Sequence, residues 1–181
     1  MKKIALFVFL LLLSGCGKYY LNKPPVSRFD VRDIAADVPL TANIKVVSEK
    51  KEAALNRAAR ACLQNSPHFK AAARPDYSLE VFISDKNYGN NIVSNLLFMG
   101  TLGIIPAYWH ETDTYQVFLH NNRGGNVEKY TYTADSTVIL HISGFVPRLG
   151  NDDYDDNLRR HKKMFDIILN DAAVRIRRDG F

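Results

Sequence analysis

The chain has 181 residues, 46% of them hydrophobic and 24% charged, with a formal net charge of +5. That balance belongs to a folded domain rather than a disordered one, and it is too mildly basic to be a nucleic-acid footprint. Two cysteines leave no room for a disulfide framework.

The chain opens Met1-Lys2-Lys3, runs through an unbroken apolar stretch from Ile4 to Leu13, and then reads Ser14-Gly15-Cys16. Two lysines before a short apolar run have the form of an export signal. The run is too short to span a bilayer, which takes about 20 apolar residues. Leu13-Ser14-Gly15-Cys16 resembles the lipobox of bacterial lipoproteins. The resemblance implies cleavage before Cys16, diacylglycerol on its thiol and acylation of the freed amine. Residues 1–15 are then a removed signal, and a mature chain without Lys2 and Lys3 carries about +3. Gly17, rather than aspartate, follows the cysteine. By the same resemblance that favours the periplasmic side of the outer membrane.

From Gly17 to about Thr41 the sequence contains Lys23-Pro24-Pro25, Pro39 and scattered charges, with little periodicity. Residues 16–42 therefore read as a lipidated cysteine and a tether reaching tens of ångströms. Residues 43–181 read as a single α+β domain.

Asn43–Val47 has the pattern of a short strand. Glu49–Leu63 places Leu55, Ala58, Ala59, Cys62 and Leu63 at helical spacing, and Ser66-Pro67 should end that helix. Cys62 then lies on an apolar face as a buried thiol. Tyr77–Ser84 alternates, with Tyr77, Leu79, Val81 and Ile83 on one side. Thr114–His120 repeats the pattern through Tyr115, Val117 and Leu119. Asn121–Asn126 is a turn, and Val127–Thr133 is a further strand with Tyr130 and Tyr132 on one side. These three strands predict an antiparallel meander.

The last helix should start near Asp155 and Asp156, bury Leu158, Phe165, Ile168, Leu169, Ala172 and Ile176, and stop at Gly180. Its basic residues Arg159, Arg160, Lys162, Lys163, Arg175, Arg177 and Arg178 read as a solvated face. The predicted fold class is α+β. It is an antiparallel sheet of about four strands, with a helix after the first strand and a C-terminal helix packed on one face.

Asn87–Trp109 contains no charged residue, although it joins strands that a two-residue turn would join. Long apolar connections inside a domain are unusual and often functional. Three readings of this segment stand side by side: core, a membrane-facing end, and a contact surface for a protein or lipid partner. Leu96, Leu97, Phe98, Met99, Leu102, Ile104, Ile105, Tyr108 and Trp109 are its candidate contact residues. A second apolar stretch, Val138–Pro147, should emerge at the same end of the sheet. The Thr101-Leu102-Gly103-Ile104-Ile105-Pro106 pattern between strands loosely resembles uncharacterised proteobacterial lipoproteins over Tyr77–Phe181, a resemblance that implies no activity.

No nucleophile elbow, P-loop or dinucleotide fingerprint occurs. The histidines at 68, 110, 120, 141 and 161 are scattered, and His110-Glu111 lacks the second ligand of a zinc motif because Thr114 stands there. Asn151–Asn157 is acidic without the spacing of a calcium loop. The sequence therefore points to no metal, no cofactor and no enzymatic activity. It predicts an envelope lipoprotein acting through a protein partner or the membrane. The alternative is a lipid-handling or transport-accessory module with an apolar pocket around residues 92–109, bounded by Leu97, Phe98, Leu102 and Ile105.

Overall fold

A computed structural model describes residues 16–22, 26–29, 38–49, 51–90, 92–101, 105–142 and 153–181. The elements in chain order are β1 (Cys16–Asn22), β2 (Leu40–Ser48), α1 (Glu52–Asn65), β3 (Phe69–Ala71), β4 (Tyr77–Asn90), α2 (Ile92–Gly100), β5 (Ala107–Asn121), β6 (Val127–Ile142) and α3 (Asp153–Asp179). The strands form one six-stranded sheet in the order β1-β6-β5-β4-β2-β3.

The predicted meander is present as β4-β5-β6. Phe82 meets Phe118, Glu80 meets His120, and Ser78 meets Asn122. Each step up β4 is thus matched by a step down β5, which defines an antiparallel pair. Lys129 with Phe118, Asp135 with Thr112, and Thr137 with His110 give the same reading for β5 and β6. β1 adds to β6 antiparallel.

The other half corrects the expected all-antiparallel, four-stranded sheet. β2 lies beside β4 and β3, parallel to both. A parallel neighbour needs a crossover, usually a helix, and α1 follows β2 directly. The hydrophobic pattern marked β2 as a strand but carried no information about its neighbour. β3 has three residues, too few for any periodicity, and β1 arises in the stretch read as tether. β4, β5 and β6 also run past their predicted ends. Backbone pairing sustains them where the side-chain alternation stops.

The chain divides into two compact units. One comprises Met1–Lys23, Asn87–Thr112 and Asp135–Asn157; the other comprises Pro24–Lys86, Asp113–Ala134 and Leu158–Phe181. The second unit holds the main core. Leu55, Ala58, Ala59, Cys62 and Leu63 of α1 and Phe165, Ile168, Leu169, Ala172 and Ile176 of α3 cover one sheet face. Beneath them lie Ala42, Ile44 and Val46 of β2, Leu79, Val81 and Ile83 of β4, and Tyr115, Val117 and Leu119 of β5. The alternation read from the sequence is therefore the alternation of burial.

Two local devices complete this unit. β3 pairs with β2 only at Leu40–Ala42. Farther along, the Asn56 amide of α1 takes a strand's place: its Oδ1 accepts from the Val46 N–H and its Nδ2 donates to the Val46 carbonyl, both at 2.8 Å. At the chain's end, Gly180 at φ 67° follows the last helical residue, a conformation that costs glycine nothing.

Cys62 sits between α1 and α3, its thiol 3.7 Å from the Lys162 carbonyl. Burial pushes its pKa up to about 12, helped by the charge of Asp166 and a hydrogen bond to it, against the opposing pull of Lys162. A thiol so far from ionising is a poor nucleophile. Native protein should therefore react with maleimide at Cys62 at least about tenfold more slowly than protein unfolded in urea. Equal rates would show that the α1–α3 seam opens freely.

Candidate functional site

The candidate site lies in the unit that contains β1, α2, the start of β5 and the end of β6. Leu96, Leu97, Phe98 and Met99 make a compact run of helix-compatible residues, and α2 ends at Gly100. Its C-terminal turn is closed by Thr101. The Thr101 N–H and hydroxyl both donate to the Leu97 carbonyl, at 2.9 and 2.6 Å, and Thr101 Oγ1 accepts from the Ile105 N–H at 3.0 Å. Ser94 is buried, and its hydroxyl accepts from the Tyr108 N–H at 2.9 Å. A polar side chain therefore fastens the inner side of α2 to the start of β5.

The outer side is apolar. Ile92 is 71% exposed, Val93 66%, Leu96 64%, Leu97 46% and Met99 72%. At about 100° per residue these positions sweep an arc of roughly 160°, with Ser94 and half-buried Phe98 on the opposite side. An ordinary surface helix is built the other way, with apolar residues inward. Burying a side chain of this size contributes about 1.5–3 kcal/mol, so five of them left in water form an exposed apolar patch. Ile105 and Tyr108 extend the exposed apolar set.

Trp109 is half-buried, and its indole N–H donates to Glu111 Oε1 at 2.9 Å. Along the same strands Thr112 donates to Asp135 at 2.7 Å, and Thr137 lies 3.0 Å from His110 Nδ1. Leu102 and Ile104 lie outside the described residues, as do residues 1–15 and the end of the second apolar stretch, 143–147. Of the residues proposed to bound an apolar pocket, Leu97 and Ile105 are exposed, Phe98 is half-buried, and Leu102 is not described. Ile92 and Val93, both outside the set of candidates read from the sequence, prove among the most exposed. Their helical phase with Leu96 and Leu97 was the signal that would have included them.

The β1–β6 register brings Cys16 into the same unit. Cys16 is paired with Ile142, the last residue of β6. Thr137 of β6 already stands beside His110 near the start of β5, and α2 precedes β5 directly. The Cys16 backbone therefore lies at the end of this unit from which α2 emerges.

Among the described residues no three His, Cys, Asp or Glu side chains gather as a metal site. His68 and His161 are buried in the second unit, and His161 Nδ1 lies 2.6 Å from the Tyr115 hydroxyl. The side chains of Asn151–Asn157 are outside the described set. The basic face read along α3 is divided: Arg160 is buried against Asp113, and Arg175 pairs with Glu128, while Arg159, Lys162, Lys163 and Arg178 are exposed. The sequence reading of Arg160 as a solvated residue is thereby corrected. Its partner sits on a distant strand.

No helix among the described residues is long and apolar enough to cross a membrane. No family model and no curated protein matches the sequence. Similar solved structures include the protein CT253 from Chlamydia trachomatis, at 10% identity over 76% of this chain and 97% of that one, with a TM-score of 0.47. A minor lipoprotein from Acinetobacter baumannii shares 15% identity over 79% and 94%, with a TM-score of 0.39. The PelC dodecamer from Paraburkholderia phytofirmans shares 10% identity over 88% and 98%, with a TM-score of 0.37. Likeness of this degree assigns no function.

Proposed function

We propose that this chain is the precursor of an envelope lipoprotein, cut before Cys16 and held by acyl chains on that residue at the periplasmic face of the outer membrane. It works by contact, with the membrane or with an envelope protein, rather than by catalysis. The observation that carries this reading is the apolar run ending in Leu13-Ser14-Gly15-Cys16 behind two lysines. Each buried CH₂ contributes about 0.8 kcal/mol, so one chain holds a protein marginally and several hold it durably. The exposed apolar arc of α2 supports action by contact.

The test is Cys16→Ser in the full chain, made in cells fed a labelled fatty acid. The parent protein should be shortened by residues 1–15 and labelled. The variant should keep its signal and lose the label entirely. A variant that is processed normally and retained as firmly in the outer-membrane fraction would overturn the proposal.

A further inference from the structure

We infer that the exposed face of α2 docks on the lipid bilayer beside Cys16, lying in the interface plane as a second point of attachment. The position of the anchor rests on the lipoprotein reading above; the case for the helix itself stands on its own geometry.

Three observations single out a bilayer as the occupant. The arc formed by Ile92, Val93, Leu96, Leu97 and Met99 holds no polar side chain, and no charge occurs anywhere from Asn87 to Trp109. A protein partner is ordinarily met by an apolar centre with a polar rim, whereas lipid asks only for apolar surface. Described polar groups beside the helix bond internally: Thr101 serves Leu97 and Ile105, and Ser94 serves Tyr108. Internal pairing of this kind is what a backbone needs on approaching a medium without water. Finally, the pairing of Cys16 with Ile142 puts the acylated residue at the end of the unit from which α2 emerges. Nine residues give a helix about 13 Å long, too short to cross and suited to lying flat.

Trp109 is the only tryptophan in the chain, so its emission reports on this end alone. The full precursor, expressed with its signal and purified from membranes, is placed in phosphatidylethanolamine–phosphatidylglycerol vesicles whose acyl chains carry bromine near the headgroup. Mass spectrometry of the same sample records whether Cys16 is acylated. Because an indole beside an interfacial helix lies within reach of such bromines, emission should fall about two-fold relative to unbrominated vesicles. Leu96→Glu combined with Met99→Glu alters only exposed positions. It should abolish the quenching while the protein still floats with the vesicles. Thr133→Glu, an exposed change in the other unit, should leave quenching intact.

Acylated, vesicle-bound protein without quenching would overturn the docking and spare the anchor. Unacylated protein that is still quenched would support the docking and remove the anchor. Unacylated protein that is not quenched would remove both. Absence of quenching together with a dimer split by Leu96→Glu would overturn the bilayer and give the face to a second copy of the chain.

Discussion

Asp113→Ala should cost the fold about 3–5 kcal/mol, the usual penalty for removing one member of a buried ion pair. Asp113 and Arg160 are each only 4% exposed at the side chain and meet directly between β5 and α3. Removing the carboxylate leaves the cationic Arg160 guanidinium buried without that counter-charge. Domains of this size are stable by about 5–15 kcal/mol, so the single change should consume a large share of the total. Urea titration followed by far-ultraviolet circular dichroism measures it. Asp113→Leu with Arg160→Met should recover most of the loss, because an apolar pair of similar volume needs no solvation. A single-variant cost below about 1 kcal/mol would place the pair in the ordinary surface class and contradict its burial.

Asp171→Ala is the second large effect expected. Asp171 is 1% exposed on α3. It accepts from the Ser27 hydroxyl at 2.5 Å, the Arg28 N–H at 3.0 Å and the Tyr132 hydroxyl at 3.1 Å. Burial, with the Asp171 charge beside it and a hydrogen bond to it, pushes the Tyr132 phenol well above its ordinary pKa. The phenol therefore stays a donor to the carboxylate. The Arg28 guanidinium lies 5.1 Å over the Tyr132 ring and bonds the Thr131 carbonyl. One carboxylate thus clasps residues 26–29 to α3 and β6. Hydrogen bonds to charged groups contribute about 1.5–3 kcal/mol each and do not simply add, so a loss of about 3 kcal/mol is expected. The same variant should be cut by trypsin after Arg28 about tenfold faster than the parent, as local opening becomes cheap. A wild-type cleavage rate would show that the clasp does not restrain the segment.

Both residues show where the sequence was silent. The apolar half of the core was readable, because burial follows the two-residue alternation of Leu79, Val81 and Ile83 and the helical spacing of Leu55, Ala58 and Cys62. Asp113, Arg160 and Asp171 break no local pattern. Asp113 and Arg160 are polar residues among other polar residues, Asp171 stands between Asn170 and Ala172 at the edge of the apolar stripe, and only the strand or segment that meets them makes them internal. Asn56 is a similar case, since its partner Val46 is found only once α1 folds back on β2. The parallel placement of β2 escaped notice for the reason that backbone pairing leaves no trace in side-chain order. At the candidate site the apolar run was conspicuous because charges are missing. Its helical phase, which separates Ser94 and Phe98 from the outward residues, takes a committed helix to define.

The ladder between Cys16 and Ile142 has a mechanical consequence. Regular hydrogen bonding includes the very residue proposed to carry the fatty chains, so no slack rope separates that residue from the unit that contains β1. The unit that contains β1, fastened in this way, would sit low and keep one heading against the surface that holds it. What that unit meets would be whatever arrives beside it.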